Sequence, residues 1–165
     1  MEHLWAPWRM TFINKETPQE TGCIFCVQPA AHRDDEYHIL YRGEHCFMML
    51  NKYPYNNGHL MIAPYLHTGS ISNLDAETLA ELMAQAQLAL KAIRYAMNPD
   101  GFNMGVNEGK VAGAGFADHM HYHIVPRWNG DTNFMPVIGD VKVMPEYLDN
   151  VYKQLKDAIA HVQNT

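Results

Sequence analysis

The chain is short of charge, and what charge it has leans acidic. Only 18% of its 165 residues are Asp, Glu, Lys or Arg, and 12 basic side chains stand against 18 acidic ones, for a net charge of −6. A broad basic face for duplex or single-stranded nucleic acid needs the opposite balance, which argues against a general nucleic-acid binder. Cysteine is scarce too: three thiols, two of them at Cys23 and Cys26, make no disulfide framework and fit a reducing compartment. No apolar run approaches the roughly 20 residues that span a bilayer, so no membrane partner is expected. Met1 to Arg9 lacks a basic start followed by an apolar stretch. A cytoplasmic chain is expected. There is no internal repeat, no low-complexity segment and no composition break, so residues 1–165 read as a single domain. Gly109, Gly113 and Gly115 precede a strand pattern rather than a helix, which excludes the dinucleotide-binding turn and leaves no sign of an organic cofactor.

What remains is a chain with 47% hydrophobic residues, enough for one core that buries roughly 70% of the unfolded surface. Residues 1–22 carry Trp5, Pro7, Trp8 and Arg9 and then turn polar, which suggests an arm docked on the body. Glu36 to Arg42 and His45 to Asn51, with Gly43 between them, predict a β-hairpin, and Leu60 to Ala63 a third strand. Leu79, Leu82, Ala86, Leu90, Ile93 and Met97 recur at helical spacing, while Glu77, Glu81, Gln85 and Lys91 fall elsewhere. Asp75 to Met97 is therefore an amphipathic helix, capped by Asp75 and ended by Pro99 and Gly101. Its long apolar face suits either its own sheet or an interface between chains. Phe102, Met104 and Val106 alternate with small polar residues as a fourth strand, and His119 to Val125 reads as a fifth. Residues 135–165 form an extension with a closing helix over 145–162, its apolar side made by Tyr147, Val151, Leu155, Ile159 and Val162. Strands grouped around one long helix point to an α+β layer fold with a mostly antiparallel sheet.

The unusual feature is histidine. Of ten in the chain, three lie two apart in His119-Met120-His121-Tyr122-His123-Ile124-Val125. Strand side chains alternate, so all three imidazoles project to one side while Met120, Tyr122 and Ile124 face the core. Lys, Thr or Glu would solvate such a face as well, and a two-histidine metal site would leave the third unexplained. Cys23-Ile24-Phe25-Cys26 could be a redox pair or half of a metal site. Because Pro29 and a polar loop follow, rather than the helix a redox pair opens, metal is favoured. Cys46, inside a strand, reads as a buried thiol.

The run from His119 to Val125 resembles, at every position, the His-φ-His-φ-His-φ-φ signature (φ apolar) of the histidine triad (HIT) nucleotide hydrolases and transferases. The resemblance extends through Asn51, Gly58-His59, Asn107-Glu108-Gly109 and Pro126-Arg127. Trp5 to Arg9 and Pro126 to Phe134 are similar to the branch containing diadenosine tetraphosphate phosphorylases. It implies a five-stranded antiparallel sheet with one long and one C-terminal helix, usually as a homodimer. It implies an enzyme that cleaves an adenine nucleotide, a dinucleoside polyphosphate above all, at its α-phosphate. His121 would be the nucleophile, forming a covalent nucleotidyl-histidine released by water or phosphate. His123 would donate to phosphate oxygens or orient the nucleophile, and His59 would buttress the triad in a catalytic or a structural role.

The same resemblance implies a nucleoside pocket at Ile24, Phe25, Met49 and Asn51, with Phe47 on the same strand face and Asn51 on the ribose hydroxyls. Asn107 and the backbone of Gly113, Ala114 and Gly115 would receive phosphate, although the hydroxyl many relatives carry in this loop is missing. The glycines also suit a flexible connection without ligand. Cys23 and Cys26 would be joined by His67 and His119 around a structural zinc. Two other readings stay open: a purine nucleoside phosphoramidase, and a zinc-stabilised nucleotide-binding module without catalysis. His3, His32, His38, His45 and His161 receive no role.

Overall fold

A computed structural model describes residues 22–131 and 146–165; the N-terminal arm up to residue 21 and the segment 132–145 lie outside them. Five antiparallel strands form one sheet in the order β1-β2-β3-β5-β4: β1 Ile39–Arg42, β2 Cys46–Leu50, β3 Leu60–Pro64, β4 Gly101–Val106 and β5 Tyr122–Arg127. The helices are α1 Ile24–Ala30, α2 Asp34–Tyr37, α3 Ala76–Met97 and α4 Leu148–Gln163.

β2 is apolar at every position and buried at every position, because the pleat sends its side chains into two different clusters. Cys46, Met48 and Leu50 join Leu60, Ile62 and Ile124 beneath α3 and α4. Phe47 and Met49 face the other way, packing with Phe25, Ile39, Met61 and Ala63. Cross-strand register carries this second face toward the triad, since Met49 pairs with Met61, Met61 with His123, and His123 with Gly105. His123 thus lies in a row whose last member has no side chain.

Helix α3 begins as its cap residue requires, with Asp75 Oδ1 accepting the Thr78 N–H at 2.8 Å, and ends at Asn98 in the left-handed region at φ +45°. Leu82, Ala86, Ala89 and Ile93 pack against Ile62, Val151 and Leu155, so its apolar face covers the chain's own sheet and α4. Gln85, expected off that face, is 3% exposed. Its amide donates to Cys46 O while Glu81 accepts the N–H groups of Glu44, His45 and Cys46, tying the helix to the β1–β2 turn. A Cβ at Gly43 would sit 1.9 Å from Glu81 Oε1, which is why that turn takes glycine.

Four boundaries differ from the sequence reading. Glu36 and Tyr37 belong to α2 rather than the first strand, and His38 ends that helix at φ +55°. The Cys pair does open a helix: Cys23 precedes α1, which accommodates Pro29 in its last turn. The fifth strand starts at Tyr122, although Met120 still packs in the core with Ile124, so the alternation runs on through irregular backbone. Tyr147 stands before α4 and is 84% exposed, leaving Val151, Leu155 and Ile159 as its buried stripe. Met104, on edge strand β4, is also largely exposed.

Candidate active site

The three triad imidazoles and their partners are fixed one at a time by backbone groups that can only donate or only accept. We assign tautomers from that network. His121 Nδ1 lies 3.0 Å from His119 O, a carbonyl that only accepts, so the proton sits on Nδ1 and Nε2 keeps its lone pair. His59 Nδ1 receives the Tyr55 N–H at 3.0 Å, which places the proton of neutral His59 on Nε2. That proton points at His123 Nδ1, 2.9 Å away, so His123 carries its own proton on Nε2. His121 and His123 are therefore neighbours of opposite polarity, one offering a lone pair and the other a hydrogen-bond donor. Their rings stand 4.7 Å apart and nearly perpendicular.

Both rings are supported by aromatic faces. Phe25 stacks on His121 at 4.7 Å, and Tyr55 stacks on His59 at 4.6 Å while tilting toward His123. Burial under this cover pushes the His121 imidazole below its ordinary pKa, partly offset by the bond to His119 O. The free-base form a nucleophile needs is thereby favoured.

His121 and His123 open onto a cavity of about 380 Å³, a size suited to a small organic ligand. Of the residues expected to hold nucleotide, Ile24, Phe25, Met49, Asn51, Gly113 and Gly115 line it. Ala114 and Asn107 do not; the loop that turns through Lys110–Ala112 presents Gly113, Gly115 and Phe116 instead. His59 is buried behind His123 rather than at the wall. Phe47 packs beneath the cavity in the core and not on it. The Asn51 side chain already accepts the Tyr53 N–H and reaches His59 Nδ1 at 3.4 Å, so it braces the β2–β3 loop as well as facing the cavity.

Sequence reasoning missed Glu36, Tyr37, His38, Tyr53 and Tyr55, all of which line the cavity. Tyr53 and Tyr55 lie between the second and third expected strands, and two aromatics between Asn51 and His59 are the signal of a wall. Nothing local marked His38.

A second cluster lies on the other side of His119. The ligand atoms of Cys23, Cys26, His67 and His119 all fall within 4.8 Å of one another. His119 Nδ1 is 3.3 Å from Cys23 Sγ, 3.5 Å from Cys26 Sγ and 3.1 Å from His67 Nδ1, and Cys26 Sγ is 3.4 Å from His67 Nδ1. Ligands about 2.0–2.3 Å from a tetrahedral cation stand roughly 3.3–3.8 Å apart, close to this spacing. His119 Nε2 donates to Pro64 O at 2.9 Å, the outer contact that turns the other nitrogen's lone pair toward a metal. The four residues fit a closed Cys₂His₂ site. They come from the start of α1, the loop after β3 and the segment before β5, so such a site pins α1, and with it Phe25, to the triad.

Residues 32–130 match the family described as HIT domain. The AP-4-A phosphorylase of Mycobacterium tuberculosis is 38% identical over 162 residues, covering 94% of this chain and 83% of that protein. An uncharacterised HIT-like protein of Methanocaldococcus jannaschii is 29% identical over 81% of this chain and 98% of its own length. Among solved structures, a Zn-bound histidine triad family protein from Mycobacterium smegmatis superposes with a TM-score of 0.71 at 28% identity, covering 87% of this chain and 96% of that one. A hypothetical histidine triad nucleotide-binding protein from Sulfolobus tokodaii gives 0.70 at 29% identity, covering 86% and 94%.

Proposed function

The chain belongs to the HIT family, and on that footing we propose that it cleaves dinucleoside polyphosphates of the diadenosine tetraphosphate kind at the α-phosphate, with phosphate or water as acceptor. The observation that carries this is the opposed polarity of His121 and His123 at one cavity wall. His121 Nε2 attacks the α-phosphorus, the bond to the bridging oxygen breaks, and the polyphosphate departs with the electron pair. His123 Nε2–H donates to the phosphate oxygens, offsetting the charge that builds there. Phosphate or water then attacks the same phosphorus, the N–P bond breaks, and the lone pair returns to His121 Nε2. Ile24, Phe25, Met49 and Asn51 hold the nucleoside, and the loop brings the Gly115 backbone to the phosphate, the Gly113 and Ala114 N–H groups being donated within the loop to Lys110 O and Gly109 O.

Cys23, Cys26, His67 and His119 hold a structural zinc in this reading, supported by their convergence and by the Zn-bound relative. The group, when bound, supplies a fixed support and takes no part in proton transfer. His119 committed to a metal cannot give a proton to the leaving group. This favours a polyphosphate, which departs unaided, over the amine of a phosphoramidate.

The enzyme is placed in the cytoplasm as a homodimer, the first supported by its unpaired thiols and the second by the family resemblance. Among the described residues no helix is long and apolar enough to cross a membrane. Product analysis with and without phosphate tests the activity. Diadenosine tetraphosphate should give ADP plus ATP with phosphate and AMP plus ATP without it. Intact diadenosine tetraphosphate alongside an efficiently cleaved adenosine phosphoramidate would establish the phosphoramidase instead. No cleavage of either, with AMP still bound, would leave a binding module.

A further inference from the structure

Helix α4 lies outside the segment matched to the family, yet one polar stripe on it reaches the segment that walls the nucleoside cavity. Asp149, Tyr152 and Lys156 recur at i, i+3 and i+7, so they share a face, and all three meet the junction between α2 and β1. His38 Nε2 donates to Asp149 Oδ1 at 2.8 Å, and the His38 ring meets Tyr152 edge-on at 5.4 Å. The Tyr152 hydroxyl donates to Asp35 Oδ1 at 2.8 Å, and Lys156 Nζ to Ile39 O at 3.2 Å. The residues so gripped, 35, 38 and 39, bracket Glu36, Tyr37 and His38, which form the outer wall of the cavity.

This wall needs a brace. α2 is a single turn of four residues, too short to be stable by itself, and it ends with His38 at φ +55°, a conformation side chains other than glycine seldom adopt. On the far side Arg42 clamps Asp34 with a two-point ion pair and reaches Pro29 O, tying α2 to β1 and α1. On the cavity-facing half the Leu50 N–H donates to His38 O at 3.0 Å and Tyr37 packs on the Phe25 cluster, while α4 supplies the side-chain contacts to His38 and Asp35.

We infer that Asp149 and Tyr152 are positioning residues for nucleoside binding, acting through His38 and Asp35 to set the wall against which the nucleoside moiety packs. The inference rests on the proposed nucleotide site. Because the wall lies across the cavity from His121, loosening it weakens binding of the nucleoside in ground state and transition state alike. KM should rise and kcat should stay unchanged.

The test uses the full chain and AMP as the probe, measured by calorimetry beside steady-state kinetics on diadenosine tetraphosphate. The Asp149 side chain is 80% exposed, so Asp149→Asn alters the His38 contact without opening the core. Asp149→Asn should raise the AMP Kd and the KM about three- to fivefold, and the double variant with Tyr152→Phe about tenfold or more, with kcat within twofold of wild type. Asp149→Glu, which restores the carboxylate, should recover most of the affinity. AMP affinity within twofold of wild type in the folded double variant would overturn the inference and leave the catalytic reading intact. So would a kcat that falls in step with affinity, since that reports general loosening. Absence of AMP binding by the wild-type chain would overturn both.

Discussion

At one end of the triad His119 turns Nδ1 toward two thiols and His67; at the other His123 turns Nδ1 toward a single imidazole, His59. The side chains are identical and four residues apart, so the difference comes from what the fold sets opposite each ring. At His119 a carbonyl, Pro64 O, takes the outer proton and leaves a lone pair among groups able to ligate a cation. At His123 a backbone N–H, acting through His59, forces the proton outward into the cavity. His121 sits between, joined to the first end by His119 O and to the second by ring contact. In the proposed mechanism one end is a support and the other a donor, and the nucleophile His121 is held by both.

The comparison is broken most severely at its centre. His121→Asn removes the lone pair and should lower kcat by at least roughly 10⁴-fold while AMP still binds, measured by kinetics and calorimetry on the same preparation. His123→Asn comes next, with a fall of about 10²- to 10⁴-fold in kcat, because it removes the donor but not the nucleophile. The support end should fail in a different observable. Cys23→Ser should lose the metal by elemental analysis and unfold at least about 10 °C lower, in keeping with the large effects of metal loss. Its kcat at low temperature should drop no more than about tenfold, an outcome that separates support from chemistry. The mildest change sharpens the donor end. Tyr55→Leu removes the ring stacked on His59 and keeps the backbone N–H, so kcat should fall only severalfold, and Tyr55→Phe should be silent.

Periodicity made the scaffold legible. The apolar spacing from Leu79 to Met97 and the cap at Asp75 mark α3 almost to the residue, since both signals are local. Alternation put Met120, Tyr122 and Ile124 in the core and the histidines on the opposite side, even where the backbone is not a regular strand. The ends of elements were less legible. α2 is stabilised by contacts to Arg42 and Tyr152 rather than by its own sequence, and α1 forms despite Pro29. In the site, His121 and His123 follow from the motif alone. The meeting of Cys23 and Cys26 with His67 and His119 came only from resemblance, because no local spacing links positions 96 residues apart. The outer wall was invisible for the same reason: His38 meets Asp149 across 111 residues, and Asp35 meets Tyr152 across 117.

The central claim is that His121 becomes covalently nucleotidylated, and trapping the intermediate tests it most directly. His123→Asn protein mixed with diadenosine tetraphosphate labelled in its adenosine moieties, quenched with alkali and digested, should carry one adenylyl group. It should sit on the peptide containing His121, stable to base and labile to acid as an N–P bond is. Label on another residue, or cleavage of the substrate with no labelled peptide in wild type or variant, would contradict it.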